Sequence, residues 1–233
     1  MSKRLDKYLC DKNIGTRSQV KALIQKGQVT INDEVIKKPE TKVSDSDIVC
    51  CQGRVLSNEE FAYYMLHKPS GIITATEDKW QATVLDYFKE EPCKNLYPVG
   101  RLDKDTEGLL LITNDGELGH RLLSPKNHIN KKYYVKMEHE ISSDEIKQLE
   151  EGVDIGEKHL TLPAKIHVID ELSVYITITE GKFHQVKRMF EAVNNKVMYL
   201  KRVSMGELAL DNTLKKGEYR RLTSQEIEYL KGL

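Results

Sequence analysis

The chain has 233 residues, and its 36 Lys/Arg balance 36 Asp/Glu, so the formal net charge is zero. A hydrophobic content of 39% and a charged content of 31% are typical of a folded, soluble chain rather than a disordered or fibrous one. No apolar run approaches the roughly 18 residues of a membrane span, and the four cysteines form no C-x-x-C pair. We therefore expect a reduced cytoplasmic protein without a disulfide framework, made of a large domain or of a large and a small one.

Positive charge is unevenly distributed along this neutral chain. Residues 1–43 hold ten Lys/Arg against five Asp/Glu, and residues 182–202 hold six against one. Local basic surfaces of this kind are the usual footprint of phosphate binding. The two clusters indicate nucleic acid as a partner, although the net charge does not.

The first 56 residues predict a small module of two helices and short strands. Residues 3–12 can form a helix, and Thr16 begins a second helix with Gln19 completing a capping box. Strands are expected around Val29–Ile31 and near Asp47–Cys51. Such a module is a candidate for RNA binding, with a solvated pair of amphipathic helices as the alternative.

The pattern RLDKYL…TRSQVKALIQKGQVTINDEVI resembles the S4 domain, an RNA-binding module of ribosomal proteins and RNA-modifying enzymes. The resemblance implies five RNA-facing side chains: Arg4, Arg17, Ser18, Lys21 and Lys26. The polar segment Gln52–Glu60 is the predicted linker, and its residues 57–60 separate the two predicted domains. The predicted domains are therefore residues 1–56 and residues 61–233.

The stretch Tyr97–Asn114 carries three acids, Asp103, Asp105 and Glu107, on a loop before an apolar strand at Leu109–Thr113. A calcium loop is one interpretation, but its twelfth position would be an asparagine and the flanks predict no helix pair. A glycosidase would need two carboxylates at a set separation, and nothing selects such a pair here. A polar surface loop is the third interpretation.

Other elements of residues 61–233 follow from periodicity and turn signals. Strands are predicted at 61–67, 131–137, 164–169, 172–179 and 215–221. Helices are predicted at 83–89, 117–123, from Ser142 or Ser143 to Glu151, at 184–194, and from Ser224 onward.

Three separated segments resemble motifs of the pseudouridine synthases, specifically the RsuA-type branch that modifies ribosomal RNA. They are Lys68-Pro-Ser-Gly71, GRLDKDTEGLLLITNDG from Gly100, and EGKFHQVKRMFEAVNNKVMYLKRVSMGELAL from Glu180. The resemblance implies an α+β fold with a mixed, mainly antiparallel sheet and flanking helices. In that family the Lys-Pro-x-Gly turn is mainly structural.

The resemblance also assigns roles. Asp103 would be the catalytic carboxylate, Lys187 the basic residue that pairs with it, and Tyr133 the aromatic that stacks on the base, with Tyr134 as the alternative. Lysine keeps the positive charge at position 187 but lacks the fork geometry of arginine. Arg101 would fill the gap left by an extruded uridine, since a base must leave its stack before it can react. The implied substrate-binding residues of the catalytic domain are Arg101, Leu102 and Arg188.

The implied reaction converts uridine in ribosomal RNA to its C5-linked isomer. It needs no cofactor or metal, and Asp103 could act either as a nucleophile or in an elimination. We expect a monomer that acts on ribosomal RNA or a pre-ribosomal particle and has no membrane partner. The chain shows no long basic C-terminal tail, which favours the small-subunit (16S) RNA, with a large-subunit enzyme or a non-catalytic ribosome-binding protein as alternatives.

Overall fold

The computed structural model describes residues 3–12, 14–44, 46–56 and 61–233. The helices are α1 Leu5–Asp11, α2 Arg17–Gln25, α3 Gly116–Leu123, α4 Ser143–Glu151, α5 Gln185–Ala192 and α6 Ser224–Gly232, with 3₁₀ turns at Val84–Phe88 and Pro125–Asn127. The strands are β1 Lys3–Arg4, β2 Val29–Ile31, β3 Glu34–Val35, β4 Lys42–Val43, β5 Val49–Cys51, β6 Arg54–Leu56, β7 Tyr63–Lys68, β8 Tyr97–Val99, β9 Glu107–Thr113, β10 Lys131–Met137, β11 Lys165–Asp170, β12 Ser173–Ile178, β13 Val197–Met205, β14 Leu208–Ala209 and β15 Tyr219–Arg221. The chain divides into two compact units, residues 1–62 with 90–95 and residues 63–89 with 96–233.

The first unit packs α1 and α2 onto a sheet of order β3-β2-β5-β6. Thr16 caps α2 as predicted, because its side chain accepts from the Gln19 amide while Gln19 Oε1 accepts from the Thr16 amide at 2.8 Å. Leu9 and Ile24 are fully buried between the helices and the sheet. The predicted helix over residues 3–12 starts only at Leu5, because β1 pairs with β4.

The predicted linker Gln52–Glu60 is wrong over its first half. Residues 54–56 form β6, which pairs with β5, so residues 52–53 make a hairpin turn instead of a linker. Residues 57–60 lie outside the described residues. The first unit also takes in residues 90–95, where the Glu90 carbonyl accepts from Arg54 at 3.0 Å.

The second unit is built on a mixed sheet of order β11-β12-β10-β13-β9-β7-β15. Neighbours in it are antiparallel except β13 and β9, which pair in parallel. This confirms the predicted α+β class with a mainly antiparallel sheet. The strand predicted over 215–221 is shortened to Tyr219–Arg221 and lies at the sheet edge, as expected.

The spacing of apolar residues along α5 determines which side of the helix faces the core. Val186, Met189, Phe190 and Val193 follow the spacing i, i+3, i+4 and i+7, and all four are buried. Burying this stripe fixes the rotation of the helix about its axis. The rotation of the helix consequently fixes the direction in which the Lys187 side chain leaves it.

Candidate active site

The loop of residues 100–106, between β8 and β9, is shaped by glycines at both ends. Gly100 and Gly108 have φ of +80° and +106°, values that side chains with a Cβ avoid. A Cβ on Gly108 would collide with the carbonyl oxygen of Arg202, where β13 runs beside β9. The loop therefore leaves the sheet at a point that tolerates no larger residue.

The buried ammonium of Lys68, at the end of β7, forms hydrogen bonds with the backbone of the same loop. Its Nζ lies within hydrogen-bond distance of four backbone carbonyls, those of Pro69 at 3.0 Å, Asp103 at 3.1 Å, Lys104 at 3.2 Å and Thr106 at 2.9 Å. An ammonium has three protons, so one of them is shared between two acceptors. Burial lowers the pKa of Lys68 to about 8. The lysine of the Lys-Pro-x-Gly turn thus stabilises the backbone conformation of the loop that carries Asp103.

A threonine fixes the other side of the loop. Thr74 Oγ1 donates to the Leu102 carbonyl at 2.7 Å and accepts from the Leu102 amide at 3.2 Å. The Leu102 side chain is buried, whereas Arg101 is exposed and Asp103 is half-buried. The anchored residue Leu102 therefore fixes the positions of its two polar neighbours, Arg101 and Asp103.

Asp103 lies in a cluster of charged groups. Lys187 Nζ is 3.1 Å from Asp103 Oδ2 and 2.6 Å from Asp105 Oδ1, and His184 Nε2 is 3.6 Å from Asp103 Oδ1. Burial of the Lys187 ammonium opposes its charge, but its bonds to Asp105 and Asp103 outweigh that cost and raise the pKa of Lys187. Burial of Asp105 likewise opposes its charge, and the bond to Lys187 prevails and lowers the pKa of Asp105. Lys187 therefore stays positively charged beside the Asp103 carboxylate at neutral pH.

The segment before α5 is tied down by Gln185. Its Nε2 donates to Glu180 Oε1 at 2.8 Å, and its Oε1 accepts from the Lys182 amide at 2.8 Å. His184 takes the left-handed conformation at φ 50°, which turns the chain into the helix. The Phe183 ring stacks on the His184 ring at 3.8 Å and is itself 68% exposed. An aromatic pair thus stands at the rim of the site.

Asp103 borders two adjoining cavities. The smaller, of about 80 Å³, is lined by Tyr133, Leu200 and Val186 together with Arg101 and Asp103. The larger, of about 660 Å³, extends from the same loop past Phe183 and His184. A ring-sized group could enter the small cavity while a longer ligand occupies the large one.

The structure separates the two tyrosine candidates. Tyr133 is buried and lines the small cavity, whereas Tyr134 points to the opposite side of β10, where its hydroxyl lies 3.1 Å from Ser173 Oγ. The geometry therefore favours Tyr133 over Tyr134 for the predicted stacking role.

Arg188, the predicted substrate-binding residue of α5, is bound within the chain. Its guanidinium donates to Glu157 Oε1 and to the Phe183 carbonyl, both at 3.0 Å, and also to the Ile155 carbonyl. These bonds keep it from lining either cavity. Arg188 is engaged in bonds within the chain, and these do not favour the substrate-binding role predicted for it.

Sequence reasoning missed three contributors. The sequence assigns no role to His184, it pairs Lys187 with Asp103 but not with Asp105, and the contact of Thr74 with the loop has no sequence signature. The spacing Asp-x-Asp is a sequence signal for Asp105, because two acids so close together can share the cation that pairs with Asp103. Asp105 does not line either cavity, so the two carboxylates do not face each other across a ligand site as a glycosidase would require.

In the first unit, the predicted RNA-facing residues lie on the surface. Arg17, Ser18 and Lys21 are exposed on α2, and Lys26 is exposed at its end. Arg4 instead forms a two-pronged ion pair with Asp6, at 3.0 Å and 2.9 Å, so part of its charge is neutralised. The α2 face is the stronger candidate for phosphate contacts.

Neither a metal centre nor a membrane span can be built from the described part of the chain. No cluster of three or more His, Cys, Asp or Glu side chains in it could hold an ion. No helix among those residues is long and apolar enough to cross a bilayer.

The fold and the site define an enzyme that modifies RNA bases. Residues 62–192 match the RNA pseudouridylate synthase family, and residues 3–49 match the S4 domain. The chain belongs to the RNA pseudouridylate synthase family and carries an S4 domain at its N-terminal end.

Full-length relatives agree with this assignment. The chain is 47% identical to the uncharacterized RNA pseudouridine synthase YtzG of Bacillus subtilis (strain 168), with 97% of this chain and 98% of that protein covered. It is 44% identical to ribosomal small subunit pseudouridine synthase A of Vibrio cholerae serotype O1, with 96% and 97% covered. A solved crystal structure of a pseudouridylate synthase aligns with a TM-score of 0.70 at 40% identity, covering 97% of this chain and 99% of that one.

Proposed function

We propose that this pseudouridine synthase isomerises a specific uridine in small-subunit ribosomal RNA, with Asp103 as the catalytic carboxylate. The observation that carries the proposal is the contact of Lys187 with Asp103 beside a cavity walled by Tyr133. The substrate class is supported by relatives named ribosomal small subunit pseudouridine synthase A, one of them 44% identical over nearly the whole chain. Such a substrate is made and assembled in the cytoplasm.

The reaction breaks the bond between C1′ and N1 of uridine and forms one between C1′ and C5. C5 loses a proton and N1 gains one, so no oxidant, nucleotide or metal is consumed. An ionised carboxylate can attack or stabilise an electron-poor anomeric carbon. Asp103 has this role in either the nucleophilic or the elimination route, and the Lys187 ammonium keeps a positive charge beside it.

The surrounding residues suit an extruded base. Tyr133 offers a ring face in the small cavity, and bases stack well on aromatic side chains. Arg101 is exposed at the rim of both cavities, where a long cationic side chain can take the place that the uridine leaves in the RNA. Extrusion costs a few kcal/mol, which such a replacement offsets in part.

The test compares two aspartates that share one lysine. Asp103→Asn should fold, bind small-subunit ribosomal RNA and form no pseudouridine above background. Asp105→Asn removes the same charge from the same ammonium but outside the cavities, so it should keep measurable turnover. Pseudouridine is read by carbodiimide-dependent primer extension. Substantial turnover by Asp103→Asn would contradict the role of Asp103, and turnover only on large-subunit RNA would contradict the substrate.

A further inference from the structure

The second unit leaves part of its sheet uncovered on the side opposite the cavities. Side chains alternate along β10, so Tyr133 faces the small cavity while Tyr134 faces the other side. Register places Tyr175 of β12 and Lys201 of β13 directly opposite Tyr134. We name this surface the reverse face and define it by Lys132, Tyr134, Lys136, Tyr175, Tyr199 and Lys201.

The centre of the reverse face is a cluster of tyrosine rings. The Tyr134 centroid lies 5.9 Å from that of Tyr175 and 6.2 Å from that of Tyr199, both edge to face. All three rings are half-buried. The ammonium of Lys132 lies 4.2 Å from the Tyr175 ring centroid, which is a cation–π distance. Each ring is therefore held by its neighbours while part of its surface stays open.

A depression of about 350 Å³ lies at one end of this face. Lys132, Lys201 and Tyr175 line it together with residues of the turn that joins β13 to β14, including the carboxylate of Glu207. Two ammonium groups and a tyrosine ring around one hollow suit a phosphate with an attached base or sugar. Glu207 is the acid among the lining residues, so the two lysines and this carboxylate leave a formal net charge of one positive unit.

A further lysine and a histidine lie at the edge of the sheet. On β11, Lys165 lies opposite Thr177 and His167 lies opposite Tyr175, so both belong to the same side of the sheet. Glu107 of β9 is paired with Lys201 of the reverse face, and its carboxylate is occupied by the Tyr199 hydroxyl at 2.6 Å and by Lys216 at 2.9 Å. That acid therefore does little to neutralise the lysines of the reverse face.

We propose that the reverse face is a second RNA-binding surface, which takes a single-stranded segment other than the one that delivers uridine to Asp103. Aromatic rings interleaved with cations are what single-stranded RNA-binding surfaces offer, since bases stack on the rings and phosphates meet the cations. The centres of protein–protein interfaces are enriched in tyrosine but depleted in lysine, so the lysines that surround the rings favour RNA over a protein partner. The proposal rests on the proposed function in one respect, that RNA is the substrate.

The first test measures binding to small-subunit ribosomal RNA at several salt concentrations. Lys132→Gln/Lys201→Gln should lower the log–log salt slope by about 1.4, because each lost phosphate contact on a single strand contributes about 0.7. Tyr175→Leu keeps an apolar side chain on the strand but removes the stacking ring, and should weaken binding by about fivefold or more. The matched control is Lys147→Gln/Lys231→Gln, which removes the same charge from helices α4 and α6 and should change neither quantity.

The second test separates this proposal from the proposed function. On a short RNA hairpin that carries the target uridine alone, the Lys132→Gln/Lys201→Gln variant should form pseudouridine at the wild-type rate. If the wild type itself makes no pseudouridine, the proposed function fails, and the binding data still decide the role of the face. If the double variant, Tyr175→Leu and the control all bind ribosomal RNA with one affinity and one slope, the second surface does not exist.

Discussion

Lys187 joins Asp103 and Asp105 across 3.1 Å and 2.6 Å, although Asp103 precedes it by 84 positions in the chain. A single ammonium thus holds two carboxylates, and its shorter bond goes to the one outside the cavities. Asp105 helps to fix the lysine, and the lysine in turn places a charge beside Asp103.

Lys187→Gln should lower the single-turnover rate by about 10- to 150-fold, since a hydrogen bond to a charged group contributes roughly 1.5–3 kcal/mol. Lys187→Arg keeps the charge and should retain more activity than the glutamine variant. Thermal melts of both variants control for folding. A glutamine variant as active as the wild type would show that the ion pair is not used in the reaction.

The rate should fall as pH rises through about 8, because Lys68 then loses its proton. A neutral amine has two protons for four carbonyls and no charge, so the Asp103 loop is held less firmly. Lysine-selective ¹⁵N NMR should show the Lys68 amine titrating near pH 8. A titration at its ordinary value of 10.5 would contradict this.

Deprotonation of Lys68 should lower the rate, but it should raise the stability of the fold. Its folded pKa of about 8 lies below the ordinary 10.5 of the unfolded chain, so between those values the unfolded chain binds more protons. The contribution of this group to the free energy of unfolding therefore increases as pH rises from about 8 to 10.5. Urea denaturation of the wild type and of Lys68→Met across that range isolates the contribution as the difference between the two pH profiles.

Gly108→Ala should destabilise the second unit severely, because the new methyl group meets the backbone of Arg202 as well as an unfavourable φ. Gly71→Ala is the matched control, since Gly71 also has a positive φ but nothing lies within 4 Å of the added Cβ. The control should lose about 1–2 kcal/mol in chemical denaturation, the cost of a left-handed residue. Equal losses for both variants would show that the close contact with β13 has no energetic weight.

Activity should survive EDTA. The described residues offer no cluster of three metal ligands, and the proposed reaction uses none. Turnover is measured before and after chelation with the RNA folded in monovalent salt. A loss that returns on adding a divalent ion, without any change in RNA folding, would indicate a metal-dependent step.

Removing residues 1–56 should weaken RNA binding and flatten its salt slope by roughly 3, if four or five phosphate contacts of about 0.7 each are lost. Residues 1–56 hold eleven Lys/Arg against seven Asp/Glu, and the remaining residues hold 25 against 29. In the full chain, Arg17→Gln/Lys21→Gln should give about 1.4 of that change without affecting the fold. An unchanged affinity and slope in both proteins would contradict an RNA-binding role for the S4 domain.

Local patterns predicted much of this molecule. The Thr16 capping box and the buried stripe of α5 depend on neighbours three or four positions away, which the sequence displays directly. The pairing of Asp103 with Lys187 was suggested by resemblance, whereas the choice between Tyr133 and Tyr134 needed the sheet, since alternation separates two faces without saying which one borders the site. The acceptors around the Lys68 ammonium are backbone carbonyls, and a pattern of side chains in the sequence cannot reveal them.

The parallel pairing of β9 with β13 has a consequence for synthesis on the ribosome. The first unit is complete by residue 95 and can fold while the rest of the chain is still being made. The loop with Asp103 reaches its final shape only after β13, which ends at Met205, has emerged and packed beside Gly108. Long-range pairings of this kind form late because the intervening chain must first be ordered. The RNA-binding unit of a nascent chain can therefore be folded well before the loop that carries Asp103 is in place.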